Sequence, residues 1–159
     1  MEEHVPGPRR DDRRQRYAVT MGAFGALGAG LLLVGRGRSV TPPTAVDVAI
    51  VGLATQKLSR LVAKQVVTTP IRAPFTEVVG PGGPAEIHER PIGDGWRRTV
   101  GELVTCPFCL DVWFAAGLTA GVVLAPTAGR AVAAGLASVG VADGLQLLYD
   151  GAQRVAEGS

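Results

Sequence analysis

Long apolar runs alternate with short polar segments along the chain, and the runs have the length of membrane-spanning helices. Residues 17–35 contain no charged side chain and are long enough to cross a hydrocarbon layer of about 30 Å at about 1.5 Å per residue. Residues 108–125 and 130–149 are similarly apolar, and Pro126 and Gly129 separate them. This pattern predicts that the two later runs form a tight helical hairpin.

A fourth apolar run, residues 45–63, is less clear because it carries Asp47, Lys57 and Arg60. Charged side chains are costly at the centre of a bilayer. We interpret this run as the second span, and an amphipathic helix on the membrane surface is the alternative. The predicted fold class is therefore all-α, a polytopic membrane bundle of about four transmembrane helices, with three spans as the alternative.

The polar segments predict tails and one long loop. Residues 1–16 are rich in Arg, Pro, Asp and Glu, which is typical of a disordered basic tail. Residues 64–105 form the long loop, and residues 150–159 a second tail. Within the loop, residues 80–95 are so rich in Gly and Pro that we expect a flexible segment without regular structure.

Composition supports lipid as the surroundings of the helices. Hydrophobic residues make up 47% of the chain but aromatic residues only 5%, so the apolar content consists of small and aliphatic side chains that pack helices closely. The net charge of +2 gives no support to a nucleic-acid partner.

The cations also predict orientation. With four spans and a cytoplasmic amino terminus, eleven cations lie in cytoplasmic segments and three, Arg36, Arg38 and Arg130, in outer ones. This asymmetry places both termini and the long loop in the cytoplasm.

Cys106-Pro107-Phe108-Cys109, at the start of the third long apolar run, is the motif that carries chemistry. A helix amino terminus lowers the pKa of a cysteine there, so the pair could exchange with disulfides. Two cysteines are also half of a tetrahedral zinc site, which a homodimer would complete because one chain adds only His4, His88 and Glu102. The third interpretation is structural, with both cysteines small, buried and reduced.

Four charged side chains lie at a similar depth near the cytoplasmic ends of the predicted helices: Lys57, Arg60, Asp111 and Asp143. Pairing between helices would compensate their charges. A proton or ion relay is the alternative role.

Three segments together resemble a known family. They are TQKLSRL at residues 55–61 followed by Lys64, VTTPIRAPFT at residues 67–76, and GELVTCPFCLDVW at residues 101–113. Their order is similar to the bacterial membrane family called domain of unknown function 1360, over about residues 45–145. The resemblance implies a location in the bacterial cytoplasmic membrane and these key residues: Arg60, Lys64, Arg72, Pro74, Phe75, Glu102, Cys106, Pro107, Cys109 and Trp113.

Pro70 and Pro74 predict an extended stretch that presents Arg72 to a carboxylate or a lipid phosphate. We expect Arg72 to organise the loop, with ligand binding as the alternative.

Three functions follow from these features. The first is a non-enzymatic structural or interaction component in which the Arg72–Phe75 segment and the Cys106–Cys109 motif form a cytoplasmic platform, with zinc as a candidate cofactor. The second is a membrane thiol-disulfide oxidoreductase in which Cys106 is the nucleophile and Cys109 the resolving thiol. The third is a small transporter or ion relay, and the partners in every case are lipid and a homo-oligomer or membrane assembly.

Overall fold

The computed structural model describes residues 10–37 and 42–157, and most of these residues are helical. This confirms the predicted fold class. The described residues form six α-helices, a 3₁₀ turn and one hairpin: α1 (Arg10–Gly35), α2 (Ala45–Lys64), the turn Val66–Thr68, α3 (Thr69–Arg72), β1 (Thr76–Pro81), β2 (Ile87–Pro91), α4 (Gly95–Val104), α5 (Pro107–Leu124) and α6 (Pro126–Glu157).

Three of the described helices are long and apolar enough to cross a membrane, by length and composition: Arg14–Gly35 in α1, α5 and α6. α2 is not among them, because it carries charged residues, among them Asp47 near its start and Lys57 and Arg60 in its second half. The helix α2 itself covers the residues predicted for a second span, and its crossing of the membrane stays a prediction.

Both predicted tails are partly helical. α1 begins at Arg10, and the remainder of the amino-terminal tail, with His4, lies outside the described residues. α6 continues to Glu157, well beyond the predicted end at residue 149. Only Ala125 separates α5 from α6, so the predicted tight hairpin is present and its turn is shorter than expected.

The long loop contains regular structure, contrary to expectation for residues 80–95. β1 and β2 pair antiparallel, with Thr76 opposite Pro91 and Pro81 opposite Ile87. Proline is tolerated here because each strand has an edge that donates no ladder hydrogen bond. The turn between the strands includes Ala85, at a positive φ of 58°.

The structure divides into two compact units. Within the described residues, the first contains residues 10–37 and 61–110, and the second contains residues 42–60 and 111–157. In the second unit α2, α5 and α6 share a small core of Val51, Ala54, Val122, Ala133 and Ala137.

Glycine allows α5 and α6 to approach closely in the second unit. A Cβ atom on Gly129 would lie 2.3 Å from the backbone carbonyl of Gly121. The expected small-residue packing is therefore present at the turn of the hairpin.

Candidate functional site

Arg72 is the structural centre of the first unit. Its side chain is fully buried, and its guanidinium forms an ion pair with Glu89 on β2, whose side chain is 2% exposed. It also donates to the carbonyl oxygen of Val62 at 2.5 Å, to Oγ1 of Thr68 at 2.6 Å and to the carbonyl oxygen of Gln65 at 3.1 Å. A planar guanidinium satisfies this many acceptors at once, which an ammonium group does with poorer geometry.

The local sequence explains why Arg72 points inward. Residues 69–72 form the helical turn α3 with proline in its first turn, so the predicted extended stretch is wrong. Proline is favoured at that position because its missing N–H would be unpaired there in any case. The expected carboxylate partner exists, and it is Glu89 of the same chain.

The Arg72–Phe75 segment is connected to the cysteine motif through α4. Arg97 on α4 donates from Nε to the carbonyl oxygen of Pro74 at 2.7 Å. Gly101 on the same helix is buried, and a Cβ atom there would lie 2.6 Å from the carbonyl oxygen of Phe75. α4 is thus pressed against the end of the Arg72–Phe75 segment.

Glu102, a residue that the resemblance singled out, lies on α4 and contacts α1. Its Oε2 accepts a hydrogen bond from the hydroxyl group of Tyr17 at 2.6 Å. One turn away, Arg16 donates from Nε to Oγ1 of Thr99 at 3.0 Å. These contacts connect the start of the apolar part of α1 to α4.

The cysteine motif lies where α4 ends and α5 begins. Pro107 is the first residue of α5, and Cys106 precedes it. The sulfur atoms of Cys106 and Cys109 lie at disulfide distance, with the Cα atoms 5.3 Å apart. The backbone N–H of Cys109 points to Sγ of Cys106 at 3.2 Å.

The surroundings of the motif are open. Cys109 is exposed, Cys106 is half-buried, and the Phe108 side chain between them is 83% exposed. The arrangement can hold a disulfide or, when reduced, offer a thiolate stabilised by the helix terminus.

The described residues contain no group of three or more His, Cys, Asp or Glu side chains that could hold a metal ion. His88 lies exposed on β2. Zinc ligation by Cys106 and Cys109 would require reduction of the pair and further ligands from outside the described residues, such as those of a second chain.

Of the four charged residues that were expected to pair between helices, Lys57 and Asp143 do so within the second unit. Nζ of Lys57 lies 2.5 Å from Oδ2 of Asp143, with side-chain exposures of 6% and 45%. Asp111 instead accepts a hydrogen bond from the hydroxyl group of Ser59. Among the other predicted residues, Arg60 is exposed, and Lys64 and Trp113 are half-buried.

Asp47 and Arg130 form a further pair that sequence reasoning missed. Arg130 on α6 contacts the Asp47 carboxylate with both Nε and Nη2, at 2.7 and 3.0 Å. Asp47 also accepts from the backbone N–H of Thr44 at 2.9 Å, while Thr44 Oγ1 accepts from the Asp47 N–H at 3.1 Å. The spacing Thr-x-x-Asp is the signal that predicts this reciprocal cap.

Comparison with curated proteins and with solved structures finds no match. The family of proteins of unknown function called DUF1360 matches residues 50–149. This match includes most of α2, all of α3, the hairpin, α4, the cysteine motif and α5, and most of α6. The region that sequence analysis assigned by resemblance is therefore confirmed, and the chain belongs to the DUF1360 family.

Proposed function

We propose that this chain is a non-enzymatic component of the bacterial cytoplasmic membrane that anchors a protein assembly through its platform, the Arg72–Phe75 segment and the Cys106–Cys109 motif. The observation that carries this proposal is the buried network around Arg72. A loop that only joined two helices would not require a fully buried, multiply bonded arginine.

Exposed apolar side chains in the first unit supply the contact surface. Phe108 is 83% exposed, Val67 74% and Ile71 63%. Large apolar groups presented by a rigid scaffold are typical of surfaces that bind a partner. Phe108, fixed between two cysteines at a helix start, is the strongest candidate for an anchor in the interface.

The platform faces the cytoplasm in this proposal. α2 must then cross the membrane, since it lies between α1 and the loop that carries Lys64, Arg72, Arg90, Arg97 and Arg98. A chain in which only α1, α5 and α6 crossed would put the loop and the amino terminus on opposite sides, against the positive-inside rule.

The size of the native complex tests this proposal. The wild-type chain and a Phe108→Ala variant would be extracted from membranes in mild detergent and sized by gel filtration with light scattering. We expect the wild-type chain in a complex larger than its own oligomer, and a shift of Phe108→Ala to smaller size. Trp96→Ala is the matched control, because Trp96 is a 52% exposed aromatic residue outside the platform. An unchanged size for Phe108→Ala would contradict the proposal.

Thiol-disulfide exchange is the second candidate, and the disulfide distance between Cys106 and Cys109 favours it. In the reduced chain, the Cys106 thiolate would attack a substrate disulfide and release one substrate thiolate. The Cys109 thiolate would then attack the Cys106 sulfur and release the second one, which leaves the pair oxidised and the substrate reduced by two electrons.

Metal content and alkylation rate distinguish the two candidates. About half a zinc ion per chain in reduced protein, lost in the Cys106→Ser/Cys109→Ser variant, would indicate four cysteines shared between two copies and would favour the assembly. Thiol exchange instead requires no metal, and it requires Cys106 to be alkylated at neutral pH much faster than an ordinary thiol.

A further inference from the structure

The second unit contains a cavity of about 510 Å³ that neither candidate function uses. Residues of α2 and α5 line most of it. Its walls are mainly aliphatic, with Val48, Val51, Val112, Ala115 and Val122 among them. A volume of this size with an apolar lining and a few polar groups is typical of a binding site for a small amphipathic molecule.

Asp111 is the charged group at one end of the lining that has no cationic partner. Its carboxylate accepts a hydrogen bond from Ser59, and no salt bridge to it is formed within the described residues. The neighbouring charges are already paired, Lys57 with Asp143 and Asp47 with Arg130. The cavity therefore has a negative end that favours a cationic ligand.

Thr55 gives an independent indication of a ligand. It lines the same cavity, is 6% exposed, and its Oγ1 has no hydrogen-bond partner within the described part of the chain. Buried hydroxyl groups are nearly always paired. The neighbouring Ser59 shows the usual solution, since its hydroxyl reaches both the Thr55 carbonyl oxygen and Asp111.

The position of these groups along α5 identifies the kind of ligand. Asp111 is the fifth residue of α5, so it lies about 6 Å from the helix start, about one turn inside the hydrocarbon boundary and within reach of a lipid headgroup if α5 crosses the membrane. The cavity continues past Ala115 and Thr119 to Val122, about 16 Å further along the helix. The Asp111 end is thus next to the headgroups, and the aliphatic wall extends deeper into the hydrocarbon. Asp47 also lines the cavity, but its charge is paired with Arg130.

We propose that this cavity binds an aminophospholipid, with the primary ammonium group on Asp111 and Thr55 and one acyl chain along the aliphatic wall. A phospholipid with an anionic glycerol headgroup lacks the ammonium group, and its charge is repelled by Asp111. The proposal depends on the chain crossing the membrane and is independent of the platform.

Lipid retention measured by native mass spectrometry tests the proposal. Wild-type protein would be purified in detergent and exposed to equimolar phosphatidylethanolamine and phosphatidylglycerol. We expect phosphatidylethanolamine to be retained about fivefold over phosphatidylglycerol, the preference that one charge-assisted contact supplies. Asp111→Asn should bring the ratio close to one, whereas Asp150→Asn, which changes an exposed acid near the end of α6, should leave it at the wild-type value.

A second variant keeps the test decisive if Asp111→Asn does not fold. Thr55→Val removes the unpaired hydroxyl group at constant volume, so it should fold and lower the ratio. Equal retention of both lipids by the wild-type protein would overturn the proposal. The proposal would also be overturned if folded Asp111→Asn kept the wild-type ratio. It would be overturned as well if the protein formed dimers that retain no lipid because a second chain fills the cavity.

Discussion

Replacement of Arg72 by methionine tests the structural basis of the platform. Methionine fills a similar space but removes the ion pair with Glu89 and the donors to Val62, Gln65 and Thr68. Glu89 would remain as a buried carboxylate without its partner, which costs about 3–5 kcal/mol. The free energy of unfolding of a typical protein is about 5–15 kcal/mol. The loss would therefore remove a large part of the stability of the first unit.

The assay is thermal and denaturant unfolding of the detergent-purified protein, together with limited proteolysis between α2 and α5. We expect Arg72→Met to make the loop sensitive to protease at a temperature at which the wild-type loop resists. Arg72→Lys should recover only part of the loss, because an ammonium group cannot reach all the acceptors of the guanidinium fork. Removal of both charges in Arg72→Met/Glu89→Gln should cost less than removal of Arg72 alone.

Arg90→Met is the matched control. Arg90 also forms an ion pair with an acid on the neighbouring strand, Glu77, but the two side chains are 69% and 46% exposed. Exposed pairs contribute about 0–1 kcal/mol. If Arg72→Met changed stability as little as Arg90→Met does, the claim that Arg72 organises the first unit would be refuted.

Three further predictions concern helix packing and charge. Gly129→Ala should destabilise the α5–α6 hairpin by about 1–3 kcal/mol, because its Cβ would lie 2.3 Å from the Gly121 backbone. Gly135→Ala, whose Cβ would have no atom within 4 Å, should not lower the temperature of thermal unfolding. Equal effects of the two variants would contradict the close packing at Gly129. Gly101→Val should impair folding of the first unit, because even a Cβ atom at this position would lie 2.6 Å from a carbonyl oxygen. We expect the variant to be as sensitive to protease as Arg72→Met. Lys57→Met and Asp143→Leu should each destabilise the protein, and the double variant should lose less stability than the sum of the two single losses. Additive losses would show that the 2.5 Å pair contributes no coupling energy.

The sequence predicted the long helices well, because their apolar length is a local property of the chain. α5 was placed within one residue at each end, and the helix of residues 45–63 lies within α2. The cysteine motif was located correctly at a helix start. The sequence could not supply the distance between the two sulfur atoms, which depends on the conformation of the turn.

The prediction of a loop without regular structure at residues 80–95 was wrong, because β1 and β2 form a hairpin there. The glycine and proline content was given more weight than the alternation in Ile-His-Glu-Arg-Pro, where Ile87 and Glu89 face inward and His88 and Arg90 are exposed. That alternation is the signature of a strand. The partner of Arg72 follows from the register of the hairpin and α3, so no local pattern could identify Glu89.

The pairing of Asp47 with Arg130 illustrates the same limit over a longer separation. The two residues are 83 positions apart in the sequence, and no local pattern indicated a contact between them. Only the packing of α2 against α6 brings them together.

The side of the membrane on which Cys109 lies tests the central claim most directly. After brief reduction with a permeant thiol and washing, intact cells and inside-out vesicles would be treated with a membrane-impermeant maleimide. A cysteine at Thr127, an exposed position near the α5–α6 turn, in a Cys106→Ser/Cys109→Ser background reports the opposite face. A cytoplasmic platform predicts labelling of Cys109 in inside-out vesicles alone and of the Thr127→Cys variant in intact cells; labelling of Cys109 in intact cells would contradict the account.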